Sequence, residues 1–255
     1  MLLFIYNERK PGSIMTILKR MGFALLGVMG LLALLCSIAA NSVTNGNLMH
    51  EGFLQYADTA HLSVKASSYE EYAAAISGYL DGKADDMQVS DPENPGQKKN
   101  AFSEKENLHM QDVRGIVFLL KAVRWIGGGL ALAIIAGLYL FAKGKRSALM
   151  QQVFRGFSDA SLALLTFFVA IGAWGVINFE GLFWAFHKIS FANELWLLNP
   201  AVDLLVALMP EGFFIWYAGE MIKALLPIFG IMLCLIIAWY KVGKKEAEQK
   251  EEEKE

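Results

Sequence analysis

Hydrophobic and polar positions alternate on a long scale along this chain. Four stretches carry no charge at all: Met21–Asn41, Trp125–Ala142, Ala160–Phe179 and Ala224–Tyr240. A helix crosses the hydrocarbon core of a bilayer with about 20 residues, and about 17 suffice. The pattern therefore predicts an all-α membrane protein with four transmembrane helices, at 21–40, 122–142, 159–179 and 223–240. Apolar runs of this length, in place of short alternating segments, exclude an outer-membrane barrel.

The segments between the runs have their own periodicity. In the region 41–121, Ser68-Tyr69-Glu70-Glu71 reads as a capping box. Tyr72, Ile76, Tyr79 and Leu80 follow at helical spacing, and Asp81-Gly82 ends the run. Residues 82–101, with Pro92 and Pro95-Gly96, read as loop or hairpin. A second capping box, Ser103-Glu104-Lys105-Glu106, opens a helix that runs on towards 122–142. There Gly127-Gly128-Gly129 permits close helix contact or a local break. In 180–222, Asn199-Pro200 reads as an N-cap with proline at the first helical position. Leu204, Leu205 and Leu208 give that helix an apolar stripe, and Pro210 ends it. At about ten residues it is too short to span, so it is expected to lie among headgroups as an interfacial helix. The architecture expected is thus four spans, a helical cap region outside the cytoplasm, and an interfacial helix before the last span.

Charge sets the orientation. Lys143, Lys145, Arg146 and Arg155 fall in the connection 143–158. Lys19 and Arg20 end the leader 1–20, and Lys241, Lys244 and Lys245 open the tail 241–255. The positive-inside rule places all three segments, and so both termini, in the cytoplasm. The regions 41–121 and 180–222 then lie outside. The first run is longer than a signal-peptide core and is expected to be an uncleaved anchor.

Composition agrees with the class: of 255 residues, 55% are hydrophobic and 12% aromatic, more apolar than a soluble domain of this size. The net charge of −2 points to no nucleic-acid partner. Both cysteines, Cys36 and Cys234, fall inside apolar runs, which leaves neither a disulfide framework nor a CxxC metal site. The spans hold almost no ionisable residues, which argues against an ion path.

The candidate chemistry lies at the outer ends of the spans. Glu106, His109 and Asp112 are spaced by three on one helical face. A carboxylate beside an imidazole fixes its tautomer and raises its basicity. Glu106 is also explained by its place in the capping box. His187 follows Phe183-Trp184-Ala185-Phe186, and Glu180 shares its face if the third helix continues. Both histidines fall on the same side of the membrane, whereas His50 and His61 read as surface residues. No serine elbow, HExxH, P-loop or accessible cysteine nucleophile is present. Two imidazoles without a nucleophile suit proton transfer between groups of one substrate.

Two blocks carry a resemblance. FSEKENLHMQDVRGIV (102–117) holds an acidic residue, His-Met and Asp-Val before the second span. FWAFHKISFANELWLLNPAVDLLVALMPEGFF (183–214) holds Phe-His, Phe-x-Asn-x-x-Trp, Asn-Pro-x-x-Asp and Pro-x-x-Phe-Phe in order. In this order and at these places the chain resembles the lipoprotein intramolecular transacylases, a family of small bacterial integral membrane proteins. The likeness runs from about Thr16 to Trp239.

The resemblance implies an acyltransferase of the bacterial plasma membrane, active on its extracytoplasmic side. Its substrate is a lipoprotein whose N-terminal cysteine bears a diacylglyceryl group and a free amine. The sn-2 acyl chain moves to that amine and gives lyso-form lipoprotein, with no cofactor, metal or external acyl donor. Membrane phospholipid is the remaining partner, and nothing sets an oligomeric state. His109 and His187 are then expected to share proton transfer without an acyl-enzyme. Glu106, Asp112 and Glu180 are expected to orient them, and Arg114, Asn193 and Trp196 to position the substrate. Two alternatives stand beside this reading: a metal-dependent membrane hydrolase of lipid or lipoprotein esters, and a non-enzymatic accessory subunit.

Overall fold

The computed structural model describes residues 14–91, 94, 96–142, 144 and 146–252. Pro92, Pro95, Lys143, Lys145 and most of the leader lie outside the described residues. Among the described residues the regular structure is helical, apart from one small hairpin. Three helices of the described residues are long and apolar enough to cross a membrane: Leu18–Val43, Glu104–Phe141 and Leu149–Ile177.

The chain divides into two compact units, Met1–Cys36 with Ala122–Trp174, and Ser37–Lys121 with Gly175–Glu255. The first is built on helix α1 (Ile14–Val43), α5 (Gly128–Phe141) and α6 (Arg146–Ile177). Small residues allow these helices to touch. A Cβ at Gly156 of α6 would lie 2.3 Å from the Phe23 backbone of α1, and one at Gly27 would lie 2.8 Å from Phe157 Cα. Such close backbone approach is how apolar helices associate where lipid is as apolar as their side chains. Arg20 and Asp159 add a two-pronged ion pair at 2.8 and 3.0 Å. Of the three consecutive glycines, Gly128 packs on Ala33, whose Cβ would lie 3.4 Å from a Cβ added there, whereas Gly129 faces open space. The connection expected over 143–158 is mostly helix, because α6 begins at Arg146.

The second unit holds α2 (Gly46–Tyr56), α3 (Tyr69–Asp81), a hairpin of β1 (Gln88–Ser90) and β2 (Lys98–Asn100), and α4 (Glu104–Ala122). It continues through α7 (Phe179–Ser190), α8 (Leu204–Leu208) and α9 (Glu211–Glu252). Its core joins Phe53, Ile76, Met110, Val117, Leu208 and Phe213, one or more from each of five helices. The expected hairpin within 82–101 is present, with Val89 opposite Lys99. Gly82, at φ 82°, closes α3 in the left-handed conformation that a glycine adopts without strain.

Three local expectations change. The Ser68 box does not form: Ser68 makes no side-chain cap, and Glu71 instead accepts from Ser90 N at 2.6 Å, tying α3 to the hairpin. The third long helix does not continue through Asn178. That residue, at φ −152°, breaks the run, and its Oδ1 caps α7 by accepting from Gly181 N at 2.8 Å. The expected interfacial helix from Pro200 shrinks to the five residues of α8. Asn199-Pro200 forms a turn before it, closed by Asp203 Oδ2 accepting from Asn199 N at 2.7 Å. The stripe Leu204, Leu205 and Leu208 is buried against protein. It joins the core of this unit, because that core offers the same apolar contact as lipid does.

Candidate active site

The site is assembled on α4 and α7. The second capping box forms as its spacing predicts: Ser103 N donates to Glu106 Oε2 at 2.7 Å, and Glu106 N donates to Ser103 Oγ at 3.2 Å. The other oxygen of Glu106 accepts from Leu205 N at 2.5 Å. Glu106, only 2% exposed, thus starts α4 and anchors α8. Both its oxygens are engaged away from the His109 ring that it was expected to orient. The i,i+3 spacing put the two on one face, but the buried N–H groups nearby claimed the carboxylate first.

His109 and His187 come together. Their ring centroids are 6.1 Å apart, and both residues are buried. Helix α4 belongs to an uninterrupted helical run of 38 residues, Glu104–Phe141, with a π-helical turn at Val123–Gly127. The charge-free part of that run begins at Trp125, sixteen residues after His109. Burial, then the neighbouring His187, push the His109 imidazole down to about 4, and Asp112 opposes them. Burial also pushes His187 down, partly offset by the Phe183 carbonyl. Both rings are therefore neutral at pH 7.

The tautomer of His187 is fixed. Its Nδ1 lies 2.8 Å from the Phe183 carbonyl oxygen. That oxygen only accepts, so Nδ1 carries the proton and Nε2 keeps its lone pair. Glu180, expected to orient this ring, is exposed and makes no hydrogen bond or ion pair among the described residues. The break at Asn178 opened the helix just before it.

An aromatic wall completes the site. Trp196 lies 4.9 Å from the His187 ring with 33° between planes, and Trp184 meets Trp196 edge-on at 4.9 Å. Phe191 is 5.1 Å from His109 and 5.6 Å from His187. Asn193 Nδ2 donates to Asp112 Oδ2 at 2.8 Å, which ties the loop after α7 to α4. Asp112, Asn193 and Trp196 therefore join the histidines. Arg114 does not: its guanidinium lies over Tyr79 at 4.5 Å and Phe118 at 5.3 Å. Five residues beyond His109, it points to another face of α4.

Sequence reasoning missed the Phe183 carbonyl and the ring of Phe191. The first has a faint signal, since Phe183 stands one turn before His187 and its carbonyl faces the next turn. The second has a like signal towards His187, since Phe191 stands one turn after it and its N–H donates to the His187 carbonyl at 2.9 Å, but none towards His109, 82 residues earlier. Among the described residues, no three His, Cys, Asp or Glu side chains are grouped to hold a metal ion.

Comparison with known proteins bears on this arrangement. A family model, that of the lipoprotein intramolecular transacylase Lit, matches residues 23–214. No curated protein matches the chain. Among solved structures, the in meso structure of the membrane integral lipoprotein intramolecular transacylase Lit from Bacillus cereus is similar, with a TM-score of 0.61 and 23% identity. It covers 91% of this chain and 98% of that one. Two variants of the Bacillus cereus protein, one histidine replaced by arginine or by alanine, give TM-scores of 0.56 and 0.55. Their identities are 21% and 22%, over 92% and 91% of this chain and 96% of each of theirs. At these identities the likeness carries the fold. The family match covers more than half of the chain and takes in both histidine-bearing blocks, so this protein belongs to the lipoprotein intramolecular transacylases, membrane-integral acyltransferases that act on lipoproteins.

Proposed function

We propose that the chain moves the sn-2 acyl chain of a diacylglyceryl lipoprotein to the α-amino group of its N-terminal cysteine, with His109 and His187 as the proton-transfer pair. The observation that carries this reading is the meeting of two buried, neutral imidazoles 6.1 Å apart, from positions far separated in sequence. At that separation both rings can reach one ester group lying along their edges. Donor and acceptor belong to the same substrate, so proximity is largely built in.

The steps balance without a cofactor. The amine nitrogen attacks the ester carbonyl carbon, and an N–C bond forms as the C–O bond to the glycerol breaks. The amine reacts in its neutral form; an imidazole takes the N–H proton that the nitrogen sheds as the amide forms, and the ring pair passes that same proton to the departing glyceryl oxygen, so both rings end neutral as they began. The α-amino group titrates near 8, so a fraction of it is unprotonated and able to attack at neutral pH. Trp196 and Phe191 would exclude water, which otherwise would compete with the amine as nucleophile.

The same reading carries a four-span topology, with Ala224–Tyr240 of α9 as the last span and both termini in the cytoplasm. The basic residues at 143–158 and after Tyr240 support it. The histidines would then face the outer headgroups of a bacterial plasma membrane.

Purified protein in detergent, incubated with a synthetic diacylglyceryl lipopeptide, should yield an isomer of unchanged mass. Tandem mass spectrometry should place one acyl chain on nitrogen. Release of free fatty acid in place of that isomer would indicate hydrolysis and end the proposal.

A further inference from the structure

Asp112 follows His109 by three residues on α4, a spacing at which a carboxylate meets an imidazole. The two do not bond. His109 Nδ1 is buried without a hydrogen-bond partner, while Asp112 Oδ2 accepts from Asn193 Nδ2 at 2.8 Å. The rest of Asn193 is equally engaged. Its Oδ1 accepts from Leu195 N at 3.1 Å, and its carbonyl oxygen accepts from Trp196 Nε1 at 2.9 Å. Trp196 in turn packs against His187 with 33° between the ring planes. One residue thus links the acid beside the first histidine to the ring that backs the second.

We propose that Asn193 is a positioning residue, holding the Asp112 carboxylate off the His109 imidazole while it seats Trp196 against His187. The inference rests on the reading of the two histidines as the proton-transfer pair and deepens it. A carboxylate bonded to an imidazole stabilises the imidazolium and makes the ring more basic. A ring that held its proton at neutral pH could not accept the one the amine gives up. The titratable groups that face His109 are Asp112 on its own helix and His187 on α7. Phe191, packed against the ring, is uncharged, and Glu106 one turn earlier has both oxygens engaged. Asp112 is therefore the group able to raise the proton affinity of His109. Without Asn193, the unpartnered Nδ1 is the site left for its carboxylate to turn to.

The test is a titration of the full chain in detergent micelles, with ¹³C at histidine Cε1. The sequence holds four histidines, and His109→Gln assigns the signal. Asn193→Ala should raise the His109 midpoint by about one pH unit or more, the usual effect of a newly adjacent opposite charge. Asp112→Asn placed in the same background should remove that rise. General disturbance of the loop would not depend on Asp112. An unchanged midpoint in Asn193→Ala, or a rise that survives Asp112→Asn, overturns the proposal. Asn193→Ser supplies the same two comparisons if the alanine variant does not fold. The readout is independent of acyl transfer. A parent chain that gives no N-acyl isomer, with the titration behaving as expected, overturns the proposed function but leaves the Asn193 contact standing.

Discussion

His187 Nδ1 and the Phe183 carbonyl oxygen lie 2.8 Å apart within one turn of α7. The contact leaves Nε2 as the free nitrogen of a neutral ring and sets its direction without a carboxylate. The direction of a histidine ring is set by the hydrogen bond of one nitrogen, to a carboxylate or to a backbone carbonyl. Here a backbone oxygen does it, and the orientation is as rigid as the helix. His187→Ala and His109→Ala should each lower the rate of N-acyl product formation by about 100-fold or more, the typical worth of a positioned acid or base. The measurement is product formation by mass spectrometry, with membrane insertion checked by extraction in detergent. Full conversion by either variant would remove that histidine from the reaction.

Stability should fall as the solution is acidified through the histidine range. Both folded-state imidazoles titrate below their ordinary value of about 6.5, His109 at about 4. Between these values the unfolded chain binds more protons than the folded one, so acid favours unfolding. The stabilising contribution is complete above pH 6.5 and is lost progressively from there towards pH 4. Thermal unfolding in micelles at pH 7.5 and 5 should differ in that direction. In the His109→Gln variant the difference should shrink.

The two glutamates predicted to orient the histidines should behave unlike each other. Glu106→Ala leaves Ser103 N and the buried Leu205 N without an acceptor, at a cost of about 3 kcal/mol. The expected outcome is a marked drop in unfolding temperature, followed by tryptophan fluorescence. Glu180→Gln alters an exposed side chain and should stay within about 0.5 kcal/mol of the parent. An unfolding temperature for Glu106→Ala equal to that of Glu180→Gln would show that the carboxylate bonds do not support the fold.

Gly156→Ala tests the packing of α1 on α6. The added Cβ would meet the Phe23 backbone carbon and oxygen at 2.3 Å, a clash that only a shift of one helix relieves. Overpacking of this kind costs about 1–3 kcal/mol. A lower unfolding temperature is expected, whereas Gly172→Ala, which meets nothing within 4 Å, should leave it unchanged.

The sequence by itself determined the membrane class of the protein and most of its helical content, and it singled out the two histidines that the fold brings together. Uncharged runs long enough to span leave a chain few alternatives in lipid, and the Ser103 box is a contact between residues three apart. Gly82 likewise ends α3 through its own backbone freedom. These are local matters, settled by spacing and side-chain type. Tertiary structure decided the rest. Glu106 bonds Leu205, Asp112 bonds Asn193, and Phe191 packs on His109, each between residues more than 80 apart in the chain, which local spacing does not encode. The leucines of α8 show why: an apolar stripe states only that water must be left, and whether it enters lipid or a protein core depends on what else the fold brings near.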